Sequence, residues 1–253
     1  MEVIVKRVFI CLLIVFFSMN SKTLKVAHRG ASGIYPENTL LAFQKTLETD
    51  ADMIELDVHR AKDGALVVFH DFELDRVTNG SGPISQKTLA ELKKLSVLGP
   101  SALLRTGKEK IPTLREVLEL LKKKIHLDIE LKGANTAKLT ADLIKEYVKS
   151  RNFNYSNFIV TSFDHPQIIE FHKLLPEIEV GFLYDEKQLP FNLNEIKNRG
   201  ISWIAADYRD LTDNFIKKAH ELGLKILVYT VNDKNEYKMM EKLGVDAVVT
   251  DFP

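Results

Sequence analysis

The chain has 253 residues, 45% hydrophobic and 28% charged, with 35 Lys plus Arg against 35 Asp plus Glu. That length supports a sizeable core in one α/β domain, and the balanced charge argues against a broad nucleic-acid or acidic-membrane surface. The single cysteine, Cys11, excludes an internal disulfide framework and argues against a cysteine zinc site or catalytic thiol.

Residues 1–22 stand apart from the rest. Lys6 and Arg7 precede ten apolar residues, Val8–Phe17, followed by polar SMNSK. A positive flank and a run too short for a comfortable membrane span predict a signal peptide or anchor. The chain would then be secreted, periplasmic or membrane-anchored, with membrane contact through this run. The other reading is a helix packed on the domain of a cytoplasmic protein. The domain proper is 23–253.

From Thr23 onward, β-branched apolar runs alternate with amphipathic stretches. Strand-like runs are 24–28, 52–59, 66–70, 125–131, 158–163, 179–184, 202–206, 225–231 and 246–250. Helical patterns at 113–124, 136–150 and 212–223 lie between some of them, with Thr113 and Thr212 as candidate caps. This alternation predicts βαβ units and a parallel sheet.

Nine strands are one too many for a (β/α)8 barrel, and the segment AKDG (61–64) accounts for the extra one. Too few residues separate Val58 from Leu66 for a helical crossover, so these runs must be antiparallel, and Asp63-Gly64 is a hairpin signal. A two-residue turn there sets Asp57 opposite His70. A slip of two sets Glu55 there instead, and a slip of one puts His70 on the other face, so turn type decides. The expectation is an α/β TIM barrel with a hairpin and a loop excursion (71–112) after strand 2, no second core, and no outer helix after the last strand. That gap would leave apolar strand surface uncovered, and Val8–Phe17 could pack into it.

Candidate chemistry gathers at the C-terminal ends of strands, where barrel enzymes keep their sites. The first run ends in His28-Arg29, the second carries Glu55 and Asp57, and IHLDIEL carries Glu130 with Lys132 two residues on. Period-two spacing sets each pair on one face, and parallel neighbours bring three carboxylates together. Such a cluster needs a positive group among it. Oxygen-only ligands favour one divalent hard cation, Mg2+ or Ca2+. Arg29 and Lys132 suit a phosphate, and His28 and His70 remain as proton-exchanging groups. Together they describe phosphoester cleavage. His59, His126, His165, His172 and His220 read as structural.

These stretches, with AHRGASGIYPENTLLAF (27–43), IELDVHRAKDGALVVFHD (54–71), LDRVTNGSGPI (74–84), IPTLREVLEL (111–120), LDIELKG (127–133), TSFD (161–164), VYTVND (228–233) and VDAVVTDFP (245–253), resemble the glycerophosphodiester phosphodiesterase family. The resemblance implies a TIM-barrel hydrolase that releases sn-glycerol 3-phosphate and an alcohol from a small-molecule glycerophosphodiester. It implies His28 and His70 as the acid/base pair, Arg29 and Lys132 as substrate-binding residues, and Glu55, Asp57 and Glu130 as ligands of the cation. It also implies attack by the substrate's own glycerol hydroxyl, through a cyclic phosphate that water opens. The stretch 95–107 departs from the family's pattern. If Leu95, Val97, Leu98, Leu103 and Leu104 form an apolar rim, the chain reads instead as a lysophospholipase D. A non-catalytic phosphodiester-binding barrel is the reading from another class, which the paired histidines speak against.

Overall fold

The computed structural model describes residues 22–100, 109–150, 153–185, 188–190 and 192–253. Its strands are β1 (Leu24–Ala27), β2 (Met53–Arg60), β3 (Leu66–Val68), β4 (His126–Leu131), β5 (Phe158–Ser162), β6 (Glu179–Tyr184), β7 (Trp203–Asp207), β8 (Lys225–Tyr229) and β9 (Ala247–Thr250). All but β3 are parallel, and pairing of β1 with both β2 and β9 closes them into an eight-stranded barrel. The helices are α1 (Leu40–Thr46), α2 (Leu89–Leu92), α3 (Leu114–Leu121), α4 (Ala137–Lys149), α5 (His165–Leu174), α6 (Leu193–Asn198), α7 (Asp213–Glu221) and α8 (Lys234–Leu243). Each lies in a connection between successive barrel strands, α2 sharing the β2–β4 connection with α3, and among the described residues no helix follows β9. The expected caps are present. Thr113 and Glu116 form a reciprocal capping box on α3, and Thr212 accepts from the Phe215 amide on α7.

Strand alternation divides the apolar side chains into two layers. Ile54, Leu56, Val58, Leu127, Ile129 and Leu131 point outward and join the buried faces of α3, α4 and α5 in the main core. Val26, Met53, Ile159, Leu183, Trp203, Leu227 and Val249 point inward and plug the barrel. Glu55, Asp57, Asp128 and Glu130 share that inward phase and are also buried.

The hairpin and the excursion depart from expectation in three ways. First, the excursion has a small core of its own, in which Val67, Phe69, Leu74, Ile84, Leu92, Val97 and Ile111 are buried together. Alternation along β3 is the cause, because Val68 faces the main core while Val67 and Phe69 face the excursion. Second, Val97 is buried in that cluster and Leu95 packs against it, so neither forms a rim. Leu103 and Leu104 lie outside the described residues, as does the apolar run Val8–Phe17. Among the described residues no helix is long and apolar enough to cross a membrane.

Third, the hairpin register is one residue off the expected one. Val58 pairs with Val68 and Arg60 with Leu66, and the Phe69 amide donates to the Asp57 carbonyl at 3.0 Å. The Ala61 amide donates to the Ala65 carbonyl, so the loop holds three residues, with Gly64 at φ +90° in the left-handed position. A three-residue loop ending in a left-handed glycine is as natural a hairpin as a two-residue turn. Phe69, not His70, therefore stands opposite Asp57. His70 reaches the barrel mouth by leaving the ladder, its carbonyl 3.1 Å from His59 Nε2.

Candidate active site

The β2–β4 register sets Glu55 beside Asp128 and Asp57 beside Glu130, all inside the barrel. Oxygens of Glu55, Asp57 and Glu130 come within 4.8 Å of one another. Burial, with repulsion from Asp57 and Glu130, pushes Glu55 well above the usual carboxylate range. Burial and Asp57 likewise push Glu130 up to about 8, and burial pushes Asp128 up to about 7. For Asp57 burial works upward too, but Arg29, then His70 and Lys132, outweigh it and hold the carboxyl below its ordinary value.

A hard cation fits this set. The donors are oxygens only, they are close enough to share one ion, and Asp57 Oδ1 is buried without a hydrogen-bond partner. The other Asp57 oxygen accepts from Asn38 Nδ2 at 2.8 Å, and Glu55 Oε2 accepts from the Arg29 amide at 2.9 Å. These bonds orient the carboxylates from behind, as outer-shell partners of a metal site do.

Two histidine–carboxylate pairs stand above the carboxylates. His28 Nδ1 is 2.6 Å from Asp251 Oδ1, and His70 Nδ1 is 2.6 Å from Asp71 Oδ1. A carboxylate at Nδ1 holds the proton there and leaves Nε2 as the reactive nitrogen. His70 Nε2 lies 3.2 Å from Lys132 Nζ. Burial, with Arg29 and Lys132, lowers the His70 pKa despite the pull of Asp57.

Arg29 sits at φ +53°, an uncommon backbone for a residue with a side chain. Gly30 follows at φ +79°, where a Cβ would lie 2.8 Å from the Ala42 carbonyl carbon. This tight turn against α1 brings the Arg29 amide onto Glu55 and its guanidinium beside Asp57 and Glu37. Lys132 Nζ is 3.1 Å from Glu130 Oε1 and 5.6 Å from the Phe163 ring centroid. A cavity of about 150 Å³ opens among these groups. His28, Arg29, Glu55, His70, Glu130 and Lys132 line it, together with Phe163, Leu183, Leu227, Tyr229 and Val249.

The sequence pattern of the Glycerophosphoryl diester phosphodiesterase family matches residues 28–253. The chain belongs to that family. A glycerophosphodiester phosphodiesterase of Caldanaerobacter subterraneus is 37% identical to it, over 92% of this chain and 95% of the relative. Human lysophospholipase D is 28% identical over 90% of this chain and 83% of its own. An Oleispira antarctica phosphodiesterase, solved in complex with the product sn-glycerol 3-phosphate, superposes with a TM-score of 0.82 at 28% identity. That superposition covers 92% of this chain and 94% of the other.

Within this family barrel, the fold gathers all seven residues singled out in the sequence at one mouth. It adds Asp71, Asp251, Asp128, Glu37 and Asn38, which sequence reasoning did not single out. Asp128 was legible, because it precedes Glu130 by one inward step on the same strand. Asp251 follows β9 directly and Asp71 comes three residues after β3, but their histidine partners depend on loop paths and barrel closure. Of the other histidines, His59 packs behind His70, its Nε2 against the His70 carbonyl, while His165 Nε2 contacts the Leu183 carbonyl and His220 Nε2 contacts Asp246.

Asp251 also carries an acid-stability prediction. Burial works to raise its pKa, but hydrogen bonds from His28, Asn232 and Ser32 outweigh this and lower it from 3.8 to about 2. A depressed folded pKa contributes stability above the unfolded value that is lost as pH falls through the folded one. For this partly exposed group the contribution is roughly 1–2 kcal/mol after solvent screening. Melting temperatures between pH 5 and 2 should fall less steeply for Asp251→Asn than for the wild type. Parallel curves would refute the assignment.

Proposed function

We propose that the chain hydrolyses glycerophosphodiesters to sn-glycerol 3-phosphate and an alcohol. The observation that carries this reading is one cavity flanked by two carboxylate-held histidines and two cationic side chains, above three buried carboxylates. Glu55, Asp57 and Glu130 would hold one divalent cation, Mg2+ or Ca2+. When bound, it would supply charge neutralisation at the phosphoryl oxygens.

Arg29 and Lys132 grip the phosphate, the first as a planar fork and the second as a point charge. One histidine Nε2 takes the proton of the glycerol 2-hydroxyl as that oxygen attacks phosphorus. The other donates a proton to the departing alcohol oxygen, so the P–O bond to the alcohol breaks as the ring closes. Water then opens the cyclic phosphate with the two histidine roles exchanged. The substrate brings its own nucleophile, so no serine or cysteine is required.

A second reading keeps this chemistry and moves it to lysolipids. Five large apolar side chains are exposed among the described residues, and four of them, Ile34, Phe72, Phe163 and Phe252, follow strands at the catalytic end. An acyl chain leaving the cavity would meet such side chains. Release of glycerol 3-phosphate from glycerophosphocholine, against choline release from lysophosphatidylcholine, separates the two. We expect the soluble diester to turn over faster. Turnover of the lysolipid alone would replace the first reading with the second, and turnover of neither would refute both.

A further inference from the structure

We propose that Arg76 is a positioning residue that couples the proton-transferring His70 to the phosphate-gripping Arg29. This rests on the phosphodiesterase reading for its chemistry and goes beyond it in assigning a role outside the cavity. Arg76 lies in the excursion and is half exposed. Its Nε donates to Asp71 Oδ2 at 2.6 Å and its Nη2 to Asp71 Oδ1 at 3.0 Å. On its other edge Nη1 donates to Glu37 Oε2 at 2.9 Å and Nη2 to Glu37 Oε1 at 2.7 Å.

Each carboxylate so held does a second thing with one of the same oxygens. Asp71 Oδ1 meets His70 Nδ1 at 2.6 Å, and Glu37 Oε1 accepts from Arg29 Nη1 at 3.0 Å. The result is a continuous chain, His70–Asp71–Arg76–Glu37–Arg29. It ties the loop after β1 to the loop after β3 across the mouth of the barrel.

An exposed ion pair by itself contributes little, since solvent screens it and two long side chains must be ordered. Here the geometry differs. One planar guanidinium forks onto two carboxylates, and this fixes the rotation of each about its own side chain. Asp71 decides where the His70 ring points, and Glu37 decides where the Arg29 fork points. A lysine in place of Arg76 would keep the charge without the fork and could not hold both carboxylates in plane. Burial raises the Glu37 pKa, but hydrogen bonds from Arg76, with Arg29 beside it, outweigh this and keep the carboxyl ionised.

The test is a mutant cycle on Asp71 and Glu37, run with Arg76 present and absent. With Arg76 present, Asp71→Asn and Glu37→Gln should be non-additive in kcat/KM by about threefold or more, as members of one network are. In the Arg76→Met background they should become additive. Arg76→Met itself should lower kcat and raise KM together, for an overall loss of about 10- to 100-fold in kcat/KM. Arg76→Lys should restore little of that loss, and it replaces the methionine variant should the latter not fold.

Additivity in both backgrounds, full rescue by lysine, or unchanged kinetics in a folded Arg76→Met protein would each overturn the proposal. If the wild type cleaves no glycerophosphodiester, the functional reading has failed separately. Calorimetric affinities for sn-glycerol 3-phosphate then carry the same cycle. Weaker binding in Arg76→Met and the same pattern of coupling support the link, and equal binding across the set refutes it.

Discussion

His70→Ala should lower kcat on glycerophosphocholine by about 10²- to 10⁴-fold, the range for removing a positioned acid or base. KM should change much less, because Arg29 and Lys132, the proposed phosphate grips, stay in place. The physical basis is the pairing of His70 Nδ1 with Asp71, which leaves Nε2 at the cavity beside Lys132. His28→Ala should show a loss of the same order, since its ring is held in the same way by Asp251. If both act in the proposed proton relay, the double variant should lose less than the product of the two. His126→Ala is the control, as that side chain is exposed at the opposite end of β4 and should leave turnover unchanged. A kcat within a few-fold of wild type for folded His70→Ala would remove His70 from the chemistry.

Removing divalent cations should abolish turnover, and the same cations should raise the melting temperature. Glu55 and Glu130 both have raised pKa values in the folded protein, Glu130 at about 8, through burial and repulsion from Asp57. A carboxylate raised on folding contributes stability that is complete below its unfolded value and lost as pH rises through the folded one. Cation-free protein should therefore lose stability between about pH 4.5 and 8. Saturating Mg2+ or Ca2+ should flatten that slope and stabilise the protein by about 2.7 kcal/mol at a hundredfold excess over Kd. Glu130→Gln should weaken the cation's effect on melting by at least about 10-fold in concentration, the minimum for losing even an outer-shell partner, and flatten the cation-free slope as well. Identical melting curves with Mg2+, Ca2+ and EDTA would rule the carboxylates out as a cation site, whatever the activity.

Much of the candidate site could be read because its residues lie on strands, where a period of two assigns faces without further information. Glu55 and Asp57, and Glu130 with Lys132, follow from that rule, and Asp128 would have followed had it been applied one step earlier. The hairpin register could not be read the same way. Asp63-Gly64 closes a two-residue or a three-residue loop equally well, and the choice is made by how β3 packs between the main core and the excursion. The small core of the excursion was hidden for a similar reason. Its members are scattered from Ala61 to Ile111 and show no period, because irregular backbone carries them.

What the sequence determined by itself is the number and order of strands, the inward phase of each, and the chemical kinds of side chain at their C-terminal ends. These are local properties, set by alternation, β-branching and turn residues within a few positions. Tertiary structure decided which of those side chains meet. Closure of β1 on β9 brings His28 to Asp251, 223 residues away, and the path of the excursion brings Arg76 to Glu37. Such partnerships depend on strand closure and loop course, and these follow from the packing of the whole chain rather than from any stretch of it.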